Sequence, residues 1–317
     1  MVPLVVAGMN CATADDAFNC EKATGFVGTV CAPSGSGRHP AILILGGSGG
    51  GDRLAPFASR FAEHGYVAAS VAYFGLPGLP SRLELIPVET VGNALDRISQ
   101  RADVDPQRIA IFGDSKGGEL ALLAASTYDR IGAVISLVGS PFAWSIIART
   151  RNSGDTSSWT AAGKVVPFVP LDRRMMTGGS GWEAFEAPLR DNRVAVDRTM
   201  FHLENVRGPI LFLAAADDRV WDSKIQAEIG MAYLKAHDHR FADEMISYPN
   251  SGHGFLFSVD PHTMAPNPAA RLVGGTAAGN VVAARAAWSA IDAFLTKALA
   301  RTSDRGALQG LARADSR

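Results

Sequence analysis

Cysteine is scarce in this chain of 317 residues: there are three, Cys11, Cys20 and Cys31, all in the first tenth. Their spacing fits no zinc pattern. They are read as unpaired thiols of a cytoplasmic protein, with a Cys11–Cys20 bridge as the alternative for an exported one. A surplus of one charge is also missing. Thirty basic residues stand against 31 acidic ones, a net charge of −1, which leaves no electrostatic case for binding nucleic acid or an anionic membrane. No apolar run approaches the roughly 20 residues of a membrane span. The opening Met1-Val-Pro-Leu-Val-Val-Ala-Gly8 is too short, and lacks the basic residues, for a secretory leader. The phosphate-cradling G-x-x-x-x-G-K-[ST] pattern is absent, and no acidic residue is placed to hold a ribose. There are no internal repeats.

What is present is alternation. Residues 41–45, 67–73, 108–112, 133–138 and 209–214 are mainly apolar runs, and 41–45 shows no polar alternation, as expected for a strand buried on both faces. Helical stretches fall between them, at 54–64, 87–101, 118–126 and 223–237, the last with Ser223 as N-cap and Gln226 completing a capping box. Two leading strands are expected at 3–6 and 25–31, a short strand at 244–248 and a final amphipathic helix at 280–299. Repeated βα units of this kind give a doubly wound, mostly parallel α/β sheet. From 141 to 204 the period is lost, and an irregular stretch of that length inside a compact domain is usually functional. It is read as a lid-like insertion in a single domain spanning 1–300, with 301–317 as a flexible polar tail.

The chemistry gathers around Gly113-Asp114-Ser115-Lys116-Gly117, between the run 108–112 and the strong helix formers of 118–126. Strand, G-x-S-x-G, helix is the context of a nucleophile elbow, which lifts a serine hydroxyl above the sheet. A second match, Gly46-Gly47-Ser48-Gly49-Gly50, also follows a strand. It comes early, with room for two strands at most before its own, and the helix beyond it is amphipathic, carrying Arg60 and Glu63. The helix after Ser115 is apolar on nearly every side, as a buried helix should be. Ser115 is therefore read as the nucleophile.

A serine hydroxyl needs a base, and after an elbow the partners follow as acid, then histidine. That order removes His39 and His64. His237 and His239 end a helix, and their H-x-H spacing lacks a third metal ligand; His262 lies in a proline-rich loop. His253, flanked by Gly252 and Gly254 just past a strand, is the candidate base. Asp217 and Asp218 both qualify as the acid. Neighbouring carboxylates on an extended segment point apart, so only one can face the imidazole. Counting from Ala215 favours Asp218, with Asp217 the alternative. The oxyanion hole is expected from the Lys116 N–H and from the glycine loop, at Gly47 and Ser48.

Several stretches together carry a family resemblance: Gly113-x-Ser115-Lys116-Gly117-Gly118-Glu119, Glu204-Asn-Val-Arg-Gly208-Pro-Ile-Leu, Asp217-Asp218-x-x-Trp221-x-Ser223, Gly252-His253 and Gly274-Gly275. They resemble the C-terminal α/β-hydrolase domain of the acyl-CoA thioesterase / bile-acid-CoA:amino acid N-acyltransferase family, over residues 25–299. The resemblance implies a serine hydrolase with the triad Ser115, Asp218 and His253. It implies an acyl-enzyme, an acyl thioester or ester substrate, and no metal or organic cofactor. Animal members carry a β-sandwich domain ahead of this one, and here about 40 residues precede the core. A dienelactone-hydrolase-like carboxylesterase is therefore the alternative. The family's N-acyltransferases use Cys where Ser115 stands, which favours hydrolysis over transfer. A non-catalytic binder of the same fold is the reading from another class.

Overall fold

The structure is a computed structural model and describes residues 17–146, 155–171, 182–191 and 193–300. Its frame is one eight-stranded sheet. The strands are β1 (Phe18–Lys22), β2 (Gly28–Pro33), β3 (His39–Leu45), β4 (Val67–Val71), β5 (Val104–Asp114), β6 (Ala133–Leu137), β7 (Ile210–Ala215) and β8 (Glu244–Tyr248). They lie in the order β1-β2-β4-β3-β5-β6-β7-β8. β2 runs antiparallel to both neighbours, and every later pair is parallel. The doubly wound, mostly parallel sheet expected from the sequence is the one that forms. β1 was not expected; the strand anticipated at 3–6 lies outside the described residues, as does the tail 301–317.

Alternate side chains leave a strand on opposite faces, and here both faces are covered. In β3, Leu43 and Leu45 enter one core while Ile42 and Ile44 enter the other; in β7, Phe212 and Ala214 oppose Leu211 and Leu213. This is why these strands show no polar alternation. Helices α1 (Ala55–Glu63) and α7 (Ala277–Ala298) cover one face through Phe57, Phe61 and Trp288. Burying each such side chain contributes about 1.5–3 kcal/mol. Arg60 of α1 clasps Asp292 of α7 with two bonds of 3.0 and 2.8 Å and lies over the Trp288 ring. The other face carries α2 (Glu89–Ser99), α3 (Lys116–Thr127) and α6 (Ser223–Ala236), through Val91, Leu95, Leu120 and Leu234.

The stretch 141–204 holds more structure than its sequence suggests. Ala143–Trp144 pairs with Phe168–Val169, and Trp159–Ala161 pairs with both Lys164–Val165 and Ile86–Pro87. Helices α4 (Trp182–Asp191) and α5 (Arg193–Thr199) follow. Phe142, Trp144, Val169, Phe185 and Val196 close a small core of their own with Trp221. No period is visible because the elements are short and α4 carries Pro188 inside it.

Two expectations need correction. Cys20 and Cys31 are direct cross-strand partners in β1–β2 and form a disulfide, with Cα atoms 4.0 Å apart. The ladder register decides which cysteines meet; Cys11 lies outside the described residues. The cap of α6 is Asp222, not Ser223: its Oδ1 accepts from Ile225 N at 2.9 Å. Ser223 Oγ is turned inward, where it accepts from Ala215 N, and Gln226 Oε1 accepts from Trp144 Nε1. Among the described residues no helix is long and apolar enough to cross a membrane.

Candidate active site

β5 ends at Asp114 and α3 begins at Lys116, so a single residue turns strand into helix. Ser115 makes that turn at φ +54° and ψ −118°, a conformation a residue with a Cβ adopts only when its surroundings impose it. Two glycines allow the close approach. A Cβ on Gly113 would lie 2.0 Å from Gly117 O, and one on Gly117 would lie 2.2 Å from Leu45 O. Ser115 stands at the N-cap of α3, yet its side chain caps nothing. The hydroxyl is directed instead to His253, whose Nε2 is 2.8 Å from Ser115 Oγ.

The relay continues from there. His253 Nδ1 is 2.8 Å from Asp218 Oδ2, and Asp218 Oδ1 accepts from the N–H groups of Val220 and Trp221 at 2.9 and 3.3 Å. The Asp218 side chain is 1 % exposed and that of His253 14 %. Burial works against a charged imidazole, but the charge and hydrogen bond of Asp218, with the charge of Asp114, outweigh it and hold the His253 pKa above its ordinary value. Trp221 stands edge-on to the imidazole, 5.7 Å between centroids. The loop bearing His253 is fixed from α7: Asn280 Oδ1 accepts from Gly252 N at 2.8 Å, while its Nδ2 donates to Gly274 O and Thr276 O.

The adjacent carboxylates diverge as their geometry requires. Asp217 turns away from the imidazole; its Oδ2 accepts from Gly275 N at 2.8 Å and its Oδ1 pairs with Arg219 at 2.7 Å. Gly47 lies against Ser115, where a Cβ would be 3.1 Å from Ser115 Cβ. Ser48 is exposed, its φ is not positive, and α1 starts only at Ala55, so the second G-x-S-x-G makes no elbow. Lys116 presents its backbone in the first turn of α3, where N–H groups have no intrahelical acceptor. Its side chain is fully buried, with Nζ 2.6 Å from Glu119 Oε1. Glu119 also accepts from Trp144 N and Trp159 Nε1, which ties the elbow helix to the insertion.

Other candidates are engaged elsewhere. His239 bonds Asp243 and Val206 O, and His237 bonds Tyr233 O, so the H-x-H pair is occupied. Ser59, His262 and Glu63 form a second serine–histidine–carboxylate row, at 3.0 and 2.8 Å. Ser59, however, sits inside α1 with its Oγ also donating to Pro56 O, without an elbow. Among the described residues no three His, Cys, Asp or Glu side chains gather as metal ligands would. The sequence reading missed Asp114, Trp221 and Asn280 as members of the site. Asp114 and Trp221 had a visible signal, the first as the variable residue inside the elbow motif and the second as the tryptophan of the Asp217-Asp218-x-x-Trp221 stretch.

Residues 86–301 match the family described as BAAT / Acyl-CoA thioester hydrolase C terminal. The peroxisomal succinyl-coenzyme A thioesterase of Mus musculus is 28% identical over 286 residues, 87% of this chain and 64% of that protein. The mitochondrial acyl-coenzyme A thioesterase 2 of Homo sapiens is 28% identical over 280 residues, covering 86% and 55%. Acyl-coenzyme A amino acid N-acyltransferase 1 of Mus musculus is 27% identical over 227 residues, covering 71% and 51%. The chain spans between about half and two-thirds of the length of these relatives. Among solved structures, a putative dienelactone hydrolase from Klebsiella pneumoniae gives a TM-score of 0.55 at 16% identity, covering 89% of this chain and 99% of that one. An esterase from Pyrobaculum calidifontis gives 0.51 at 18%, covering 86% and 81%. Likenesses at that identity carry the fold alone, an α/β-hydrolase.

Proposed function

Since the chain belongs to the BAAT / acyl-CoA thioester hydrolase C-terminal family, we propose that it is a serine hydrolase that cleaves acyl thioesters, or the matching oxygen esters, through an acyl-enzyme on Ser115. The observation that carries this reading is the unbroken relay Ser115–His253–Asp218 at 2.8 and 2.8 Å, with the serine on a strained elbow.

In this mechanism Ser115 Oγ attacks the carbonyl carbon while His253 Nε2 takes its proton. Asp218 accepts from Nδ1–H, fixes the tautomer and stabilises the imidazolium. The oxyanion meets the Lys116 N–H and the loop at Gly47 and Ser48, at the positive end of α3. The intermediate collapses, and His253 returns the proton to the leaving thiolate or alkoxide. A water activated by His253 then frees the acid. The oxygen ester on Ser115 is less open to amines than a thioester on cysteine, which favours water over an amino acid as acceptor. The thioester reading draws on the relatives' names; the carboxylesterase alternative accepts the same acyl-enzyme and differs in the leaving group.

The substrate is a small molecule, and the reading needs no metal or organic cofactor. The insertion 141–204 within the single domain 1–300 serves as the cover of the acyl site. Its small core reaches the base directly, since Trp221 contacts both Phe185 and His253. For location, the cytoplasm expected from the sequence has to be weighed against the Cys20–Cys31 disulfide, which persists in oxidising compartments. The test of function is turnover of acyl-CoA and p-nitrophenyl ester series across chain lengths by wild type and Ser115→Ala. Turnover by wild type, with loss of at least about 10³-fold in the variant, is expected. A variant as active as wild type removes Ser115 from the chemistry.

A further inference from the structure

β5 delivers a second carboxylate to the nucleophile's side. Asp114 is only 9 % exposed. A Cβ on Gly47 would lie 3.2 Å from Asp114 Oδ2 and 3.1 Å from Ser115 Cβ. Carboxylate and nucleophile thus face the same glycine of the loop assigned to the oxyanion. Asp114 Oδ1 is buried and has no hydrogen-bond partner among the described residues. The triad does not use it, because Asp218 already orients His253. A buried carboxylate oxygen without a donor is costly and calls for an explanation.

The nearby donors do not satisfy it. The Lys116 ammonium is held by Glu119, and the Tyr73 hydroxyl donates to Gly46 O. Burial pushes the Asp114 carboxyl up to about 6, with His253 opposing the rise and Asp218 adding to it. At neutral pH it is therefore mainly an anion, so two carboxylate charges act on one imidazole. Oδ2 is the carboxylate oxygen beside Gly47, so a donor for this carboxylate can arrive with whatever occupies the space above Ser115 and Gly47, and that is the acyl end of a substrate.

Resting on the hydrolase reading, we propose that Asp114 is a specificity-determining residue that accepts a hydrogen bond from the substrate's acyl group. It selects acyl thioesters or esters carrying a hydroxyl, amide N–H or ammonium close to the scissile carbonyl, and disfavours acyl groups carrying a carboxylate. A hydrogen bond to a charged group is worth a factor of roughly 10–100. Like charges brought together in a desolvated site oppose binding by a comparable factor.

The experiment compares N-acetylcysteamine thioesters of butanoyl, 3-hydroxybutanoyl and succinyl groups with wild type, Asp114→Asn and Asp114→Leu. Wild type should show kcat/KM for 3-hydroxybutanoyl above butanoyl by about tenfold or more, with succinyl lowest. In both variants the hydroxyl preference should fall by about tenfold, and the succinyl-to-butanoyl ratio should rise by about as much. These ratios are independent of how much of a variant folds, and Asn keeps the shape should Leu not be tolerated. Ratios unchanged in the variants, or a wild type that prefers butanoyl, overturn the proposal. If wild type hydrolyses butanoyl and a fluorophosphonate labels Ser115 while the ratios stay fixed, this inference alone fails. If there is neither turnover nor labelling, the hydrolase reading fails with it.

Discussion

Replacing Asp114 by Asn should stabilise the protein, and the gain should depend on pH in a way the site dictates. The carboxyl is raised from 3.8 to about 6 in the folded state, chiefly by burial. The folded protein therefore holds the proton more tightly than the unfolded chain, so stability falls as pH rises through the window between these values. Below about pH 4 both states are protonated and this group costs nothing. Above about pH 6 both are ionised, and the full difference applies. At about 1.4 kcal/mol per pH unit, it amounts to about 3 kcal/mol. Asn has no charge to bury and carries no such dependence. Equilibrium urea unfolding of wild type and Asp114→Asn, at steps from pH 4 to 8, should show the difference in ΔG growing by about 3 kcal/mol and levelling off above pH 6. A difference that does not vary with pH would refute the reasoning. It would mean that Asp114 is paired or hydrated, and the specificity argument would lose its premise.

Asp218→Asn should lower kcat by roughly 10³–10⁴, about 4–5.5 kcal/mol in transition-state stabilisation, because an amide facing His253 Nδ1 favours the wrong tautomer. Asp217→Asn should change kcat by less than about tenfold, since its Oδ acceptor for Gly275 N survives and only an exposed pair with Arg219 is lost. The reverse ranking in steady-state kinetics would move the acid role to Asp217. The acid limb of kcat/KM should be shifted upward from the ordinary value of a histidine, because His253 works only when deprotonated and its pKa is raised. Asp114→Asn should move that limb to lower pH, and an unmoved limb would contradict the coupling. Thiol titration of unfolded, unreduced protein should count one thiol of the three cysteines. Cys31→Ser should lose about 3 kcal/mol for a loop of this size; three titrated thiols would mean the β1–β2 bridge does not form.

The sheet was legible wherever strands are buried on both faces, since such strands are apolar at nearly every position, Ser70 and Ser136 being the buried exceptions. β1 was not legible, because Phe18–Lys22 is an edge strand with a mostly exposed pattern, and only its pairing with β2 makes it a strand. The same pairing, which is not local in sequence, chose Cys31 as the partner of Cys20. At the start of α6 two residues could cap. Asp222 does so because Ser223 Oγ is occupied against β7. The row Ser115–His253–Asp218 that the structure brings together was suggested by chain order and by the glycines around Ser115 and His253, but the choice between Asp217 and Asp218 turns on side-chain direction. The roles of Asn280 and Asp114 were hidden for a related reason. One acts by bridging Gly252 and Gly274 across the fold, and the other by lacking a partner, which only three dimensions reveal.

The most direct test of the account is where an acyl-enzyme mimic attaches. Wild type treated with a fluorophosphonate, followed by intact mass and peptide mapping, should gain one adduct per chain, on Ser115. Ser115→Ala should gain none, and His253→Ala should react more slowly by orders of magnitude. The surface row at Ser59 and the exposed Ser48 should stay unmodified, because neither has an elbow to raise its hydroxyl toward a phosphonyl centre. An adduct on Ser48 or Ser59, or steady thioester turnover by a protein that takes no label at Ser115, would contradict the assignment of the nucleophile.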